Sequence, residues 1–322
     1  ISVIEQQEYD LQINTSWLTM PNPLNVEYYS IPFDQLSDQM QLGAEVYNGG
    51  YSTDYGTLTG EISSESGYNN LIPSVSFEIS SLDTMNILTE FFNHMIPGPD
   101  EYNFTASVVS SGEDTLLNNN SSTRNFIISE NVYSLDGWYN SHEWQGTGWP
   151  GGDDTADGLR FANYFDIKES TSLSSISIML DTDEHPTSLG TFQTSPGGEI
   201  IAYVCDTTGI FDPNNSYLNP DFGGTIWESD FYLITQDDIN NNSIVINVED
   251  LELEPNAYYI VIEMYSNGLT SPIFIYDDTS VPQPWYSSLI FYPNEQTWYS
   301  NPNSSSIAIG LNGFENSIYG CT

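Results

Sequence analysis

Basic residues are almost missing from this chain. Arg124, Arg160 and Lys168 stand against 45 Asp and Glu, a formal charge of −42. Nucleic-acid binding needs clustered Lys and Arg to neutralise phosphates, so that class of partner is excluded. Anionic membrane surfaces are excluded on the same ground. Long apolar runs are missing as well. A bilayer-spanning helix needs about 20 consecutive apolar residues, and the apolar runs here, such as IFIY at 273–276, are strand-sized. The chain opens ISVIEQQEYD, without Met and without a charged-then-apolar leader, which predicts a processed or internal start.

Cysteine and histidine are scarce too. Of the two cysteines, Cys205 lies in the strand-like run IIAYVCDT and reads as a buried, inert thiol. Cys321, in the terminal GCT, reads as exposed and able to pair beyond the segment. Three histidines, His94, His142 and His185, leave few bases for a Ser or Cys triad. His142 and Glu143 begin a zinc-protease motif, but its second His is replaced by Gly146. No serine sits in a nucleophile-elbow glycine pattern, and no phosphate-binding glycine loop precedes a lysine. Paired carboxylates for glycoside hydrolysis are defined by their separation in space, so 45 acids in sequence single out no pair. The sequence therefore predicts a protein that is not an enzyme.

What the chain does have is length, aromatics and short alternating runs. Its 322 residues are 39% hydrophobic, with 7 Trp, 22 Tyr and 15 Phe, enough to bury a core in each of two domains. Runs rich in β-branched and aromatic residues recur between Asn, Gly, Pro, Ser and Asp clusters, the pattern of an all-β protein. Residues 1–130 carry eight such runs, at 8–18, 25–33, 41–48, 56–63, 74–80, 86–92, 101–110 and 123–129, which predict an immunoglobulin-like β-sandwich. Residues 131–322 carry nine, among them 158–167, 172–180, 198–206, 225–234, 257–265 and 287–292, which predict a jelly-roll-like β-sandwich. Helix is expected only in short turns.

Three groups of residues are candidate sites. Asp153, Asp154 and Asp157, in the Gly-rich loop GGDDTADG, offer hard oxygen ligands for calcium, or else form a plain acidic loop. Asp181, Asp183 and Glu184 are a second acidic cluster with the same alternatives. Trp138, Trp144 and Trp149, with Trp285 and Trp298 further on, either stack on a ligand such as a sugar ring or close the ends of a core.

Several runs together resemble the modular secreted proteins of marine Bacteroidota that are exported by the type IX secretion system. The residues carrying the resemblance are EYYSIPFDQ (27–35), LGAEVYNGG (42–50) and the stretch 102–137 in the first domain. GLRFANYFDI (158–167), AYYIVIEMY (257–265) and the terminal YGCT (319–322) carry it in the second. The resemblance implies a secreted or cell-surface location. It also implies O-glycosylation where Asp precedes Thr and a small or apolar residue, at Thr84, Thr115, Thr155 and Thr207. The expected role is a non-enzymatic structural, adhesive or spacer segment whose partner is an extracellular surface, a glycan or a neighbouring module. Two alternatives stay open: accessory domains of a secreted peptidase or polysaccharide-degrading enzyme, and a filament subunit that donates its first strand.

Overall fold

The computed structural model describes residues 6–137, 149–150, 157–187, 190–207, 224–268, 270–279, 283–300 and 305–313, with 149–150, 185–187 and 250 described by backbone alone. Strand is the dominant regular structure of the described residues, and the strand pairs are antiparallel. Its one α-helix is Gln236–Asn241, a single capped turn in which the Thr235 and Asp238 side chains reciprocally satisfy backbone N–H groups. The predicted all-β class is what is found.

The chain forms two compact units. The first contains a sheet of Leu11–Thr19, Gln39–Asn48 and Thr84–Leu88, with Phe92–Asn93 added to the middle strand. A second sheet orders Asn69–Ile79, Asp54–Ser64, Asp100–Val109 and Ser121–Ser129. Period-two alternation turns Leu42, Ala44 and Val46 of one sheet toward Leu58, Ile62, Phe104 and Ala106 of the other. Each fully buried large apolar side chain contributes about 1.5–3 kcal/mol. A close approach also explains one glycine: the Trp17 indole lies flat on Gly43, its cross-strand partner, where a Cβ would sit 2.1 Å from the ring.

The second unit places Ser243–Leu253, Thr171–Met179, Ile309–Asn312, Val132–Ser134 and Ser30–Pro32 side by side. Its larger sheet runs Thr225–Glu228, Glu199–Asp206, Asn256–Tyr265, Leu159–Ile167, Ser288–Tyr292 and Thr297–Ser300. The two sheets meet across Phe161, Phe165 and Ile176, all fully buried, and the Asn163 amide donates to the Ile307 carbonyl.

One segment departs from the predicted boundary. Tyr28–Gln35, expected within residues 1–130, belongs to the second unit. Ser30 pairs with Ser134, and the buried Tyr28 ring packs 4.5 Å from Tyr133. The Tyr28 hydroxyl accepts the Asp166 N–H, while Gln35 Oε1 accepts those of Lys168 and Glu169. These partners lie more than 90 positions away, so local pattern could not assign the segment.

A chain with this charge folds by giving its inner carboxylates N–H and O–H donors in place of cations. Asp54, fully buried, accepts from the Ser110 and Ser111 hydroxyls and the Ser111 N–H. Asp114 accepts from the Leu11 and Leu116 N–H groups and the Asn120 amide. The three cations, each part-exposed, are engaged as well. Arg124 pairs with Glu27 at 2.9 Å, Arg160 with Glu263 at 3.3 Å, and Lys168 with Asp166.

His94 adds a pH dependence to the first unit. Its ring is buried; Nδ1 accepts the Ile96 N–H at 3.0 Å, so the proton sits on Nε2 and is donated to the Ser37 carbonyl. Burial lowers its pKa, against the opposing pull of the Ser37 bond and Asp38. The folded state therefore binds a second proton, which would have to displace the Ile96 bond at Nδ1, less readily than the unfolded chain, and stability from this group is lost as pH falls below about 6.5. The melting midpoint of the wild type should drop between pH 7 and pH 5 by more than that of His94→Gln. Equal drops would assign the acid sensitivity to other groups.

Candidate functional site

One exposed feature that the fold holds by several bonds is the turn Pro284-Trp285-Tyr286-Ser287. Pro284 opens it, and the Ser287 N–H donates back to the Pro284 carbonyl at 3.3 Å. Tyr286 occupies the third position with φ of 72°, a left-handed conformation that glycine adopts freely and a bulky residue adopts at a cost. The surrounding structure enforces it. The Tyr286 N–H donates to the Ser300 hydroxyl at 2.9 Å, and the Tyr286 carbonyl accepts the Tyr259 hydroxyl at 2.6 Å. The Ser287 carbonyl accepts the Tyr164 N–H, and the Ser287 hydroxyl donates to the Pro284 carbonyl.

The result is an aromatic pair pushed into solvent. Trp285 is 73% exposed and Tyr286 37%, their ring centres 6.5 Å apart at 66°. Folded chains seldom leave an indole this open, because burial of its area is among the largest hydrophobic gains available. Here the backbone strain and the bonds to Tyr259, Tyr164 and Ser300 place it outside. Trp298, the other downstream candidate, is buried at 5.2 Å from Phe291 and is core.

A second constellation lies on the larger sheet of the same unit. Glu263, Arg160 and Phe291 are cross-strand neighbours, and Tyr203 and Tyr265 reach in from either side. The Glu263 carboxylate accepts the Tyr203 and Tyr265 hydroxyls, each at 2.7 Å, while the guanidinium stands 5.3 Å from the Phe291 ring centre and 5.8 Å from that of Tyr203. Burial, and then the bond to Glu263, raises both phenols, Tyr265 to about 12. A buried carboxylate with three donors and a guanidinium between two rings holds the sheet face together; the phenols stay protonated at any physiological pH.

The remaining candidates divide by where they fall. Trp138, Trp144, Asp153, Asp154 and Thr155 lie outside the described residues, as do His142, Glu143 and Cys321; Trp149 is described by backbone alone, paired with Ile275. Asp157 is described, and its oxygens accept the Ser266 N–H and hydroxyl and the Gly268 N–H. Asp181 caps its own turn, accepting the Asp183 N–H. Among the described residues no group of three His, Cys, Asp or Glu side chains is arranged to hold a metal ion. Thr84 and Thr115 are exposed and Thr207 half-buried. Cys205 is buried as expected, its thiol pushed up to about 11 by burial and therefore unreactive. Among the described residues no helix is long and apolar enough to cross a membrane.

No protein-family model matches the chain, and no curated protein matches it. Among solved structures, the chain is similar to the CARDB domain of a Pyrococcus furiosus protein, described in complex with di-metal ions, at 15% identity. That likeness covers 40% of this chain and 93% of that domain, with a TM-score of 0.27. A β-glucosidase from Erythrobacter marinus is similar at 10% identity over 37% of this chain and 15% of the enzyme, TM-score 0.27. Red sea bream transglutaminase is similar at 9% over 95% of this chain and 31% of that protein, TM-score 0.24. Similarity at this level transfers neither fold nor function, so the reading below rests on the chain's own geometry.

Proposed function

We propose that this chain is a non-enzymatic adhesive segment of a larger secreted or cell-surface protein, and that the Trp285–Tyr286 turn is its contact. The observation that carries the reading is a strained, multiply bonded turn whose product is an exposed aromatic pair. Strain of this kind persists where the surrounding structure enforces it, and it concentrates at ligand-holding sites. The all-β scaffold with firmly bonded turns suits presentation of such a contact at a distance from an anchor. Export through the type IX route is part of this proposal and rests on the sequence resemblance.

The test is retention of the full chain on a panel of insoluble polysaccharides and immobilised extracellular-matrix proteins. Retention by at least one surface is expected, with loss of at least about 10-fold in Trp285→Ala at an unchanged melting midpoint. Retention that Trp285→Ala leaves intact, or none on any surface, would overturn the assignment.

A further inference from the structure

We infer that the ligand of the Trp285–Tyr286 turn is an uncharged hexopyranose polymer, recognised by stacking of sugar C–H faces on the two rings. The inference rests on the binding role proposed above and names its ligand class. Charge supplies the first argument. All three basic side chains of the chain are paired with carboxylates, Arg124 with Glu27, Arg160 with Glu263 and Lys168 with Asp166. Residues 283–300, which contain the turn and the hairpin it is bonded to, include no Lys or Arg and one acid, Glu295. A sulfated or uronate polymer would meet a surface of −42 with no cation at the turn to receive it.

Shape supplies the second argument. The pair offers two neighbouring rings inclined at 66°, Trp285 the more exposed of them, a contact of two side chains. A protein partner of ordinary size needs roughly 800 Å² from each side with a desolvated centre. A sugar ring needs one flat apolar face and little else, and sequence-tolerant stacking on exposed aromatics is a general way to hold a polymer of repeating rings. The third argument is rigidity. Because the turn is closed by its own bond and tied to Ser300, Tyr259 and Tyr164, the backbone that carries the two rings is fixed before the ligand arrives, which lowers the entropic cost of a contact this small.

The experiment is affinity electrophoresis of the full chain in gels containing laminarin, hydroxyethylcellulose or galactomannan, set beside alginate and a sulfated galactan, at low and at seawater-like salt. Retardation by at least one uncharged polymer is expected, unchanged by salt, with none by the two anionic polymers. Trp285→Ala should weaken it at least about 10-fold. Tyr286→Gly removes a ring while suiting the left-handed backbone, so it should weaken binding and leave the melting midpoint the same or higher. Retardation by the anionic polymers alone would overturn the ligand class, as would binding that Tyr286→Gly does not change. If Trp285 proves necessary for retention on an immobilised protein and no uncharged glycan retards the chain, the adhesive role stands and the sugar assignment falls. If nothing depends on Trp285, both fall.

Discussion

Replacing Arg124 with methionine is expected to destabilise the first unit by about 3–5 kcal/mol, because it strands Glu27 as an uncompensated charge in the interior. Glu27 is buried, its Oε2 accepts from Arg124 at 2.9 Å and its Oε1 from the Leu18 N–H, and Arg124 also donates to the Ser16 carbonyl. Burial already raises the Glu27 pKa against the opposing pull of Arg124, and removing the guanidinium takes away the largest of the effects that resist it. The sign of the pH dependence follows. A carboxyl whose folded pKa lies above its unfolded value stabilises while protonated, and that contribution is lost as pH rises through the folded pKa. The deficit of Arg124→Met should therefore be largest at neutral pH and narrow on acidification. The double variant Arg124→Met with Glu27→Gln, which keeps an acceptor for the Leu18 N–H and removes the charge, should recover more than half of the loss. Denaturant unfolding at pH 7 and pH 5 measures both effects; a deficit below about 1 kcal/mol, the range of exposed pairs, would show the pair to be solvated and the burial argument mistaken.

Raising ionic strength from 10 mM to seawater-like salt is expected to lift the melting midpoint on the order of 10 °C, because 45 acids and three cations leave the repulsion almost uncompensated. Screening shortens the reach of that repulsion from roughly 30 Å at 0.01 M to less than 8 Å above physiological salt. Inner acids such as Asp54 and Asp114 are already satisfied by N–H and O–H donors, so the gain must come from the solvated ones. Millimolar calcium at constant ionic strength separates screening from binding. We propose a further increment from calcium that is lost when Asp153, Asp154 and Asp157 are all changed to asparagine. Thermal scans of the two proteins with and without calcium test this: equal increments would remove the calcium site, and a midpoint indifferent to salt would remove the repulsion argument.

Much of the architecture is legible in the sequence because strand periodicity is local. The runs 41–48, 101–110, 158–167 and 257–265 fall within the strands Gln39–Asn48, Asp100–Val109, Leu159–Ile167 and Asn256–Tyr265 to within two residues at each end. Short edge elements without a β-branched run, such as Thr297–Ser300, were not legible, since the neighbouring strand rather than their own residues makes them extended.

For the candidate site, the sequence put Trp138, Trp144 and Trp149 first, with Trp285 and Trp298 behind them, and chemistry alone does not show which indole faces solvent. Trp285 and Trp298 are 13 positions apart, each beside a tyrosine, yet one faces solvent and the other Phe291. The Arg160–Glu263 constellation was invisible for the same reason, its members being brought together by strand register across more than 100 positions. Composition and local periodicity determined the charge and the all-β class, because these depend on which residues are present and on their nearest neighbours. Only the tertiary structure decided which cations are engaged, why Tyr28–Gln35 leaves the first unit for the second, and which indole is presented, because burial and pairing depend on contacts between residues far apart in the chain.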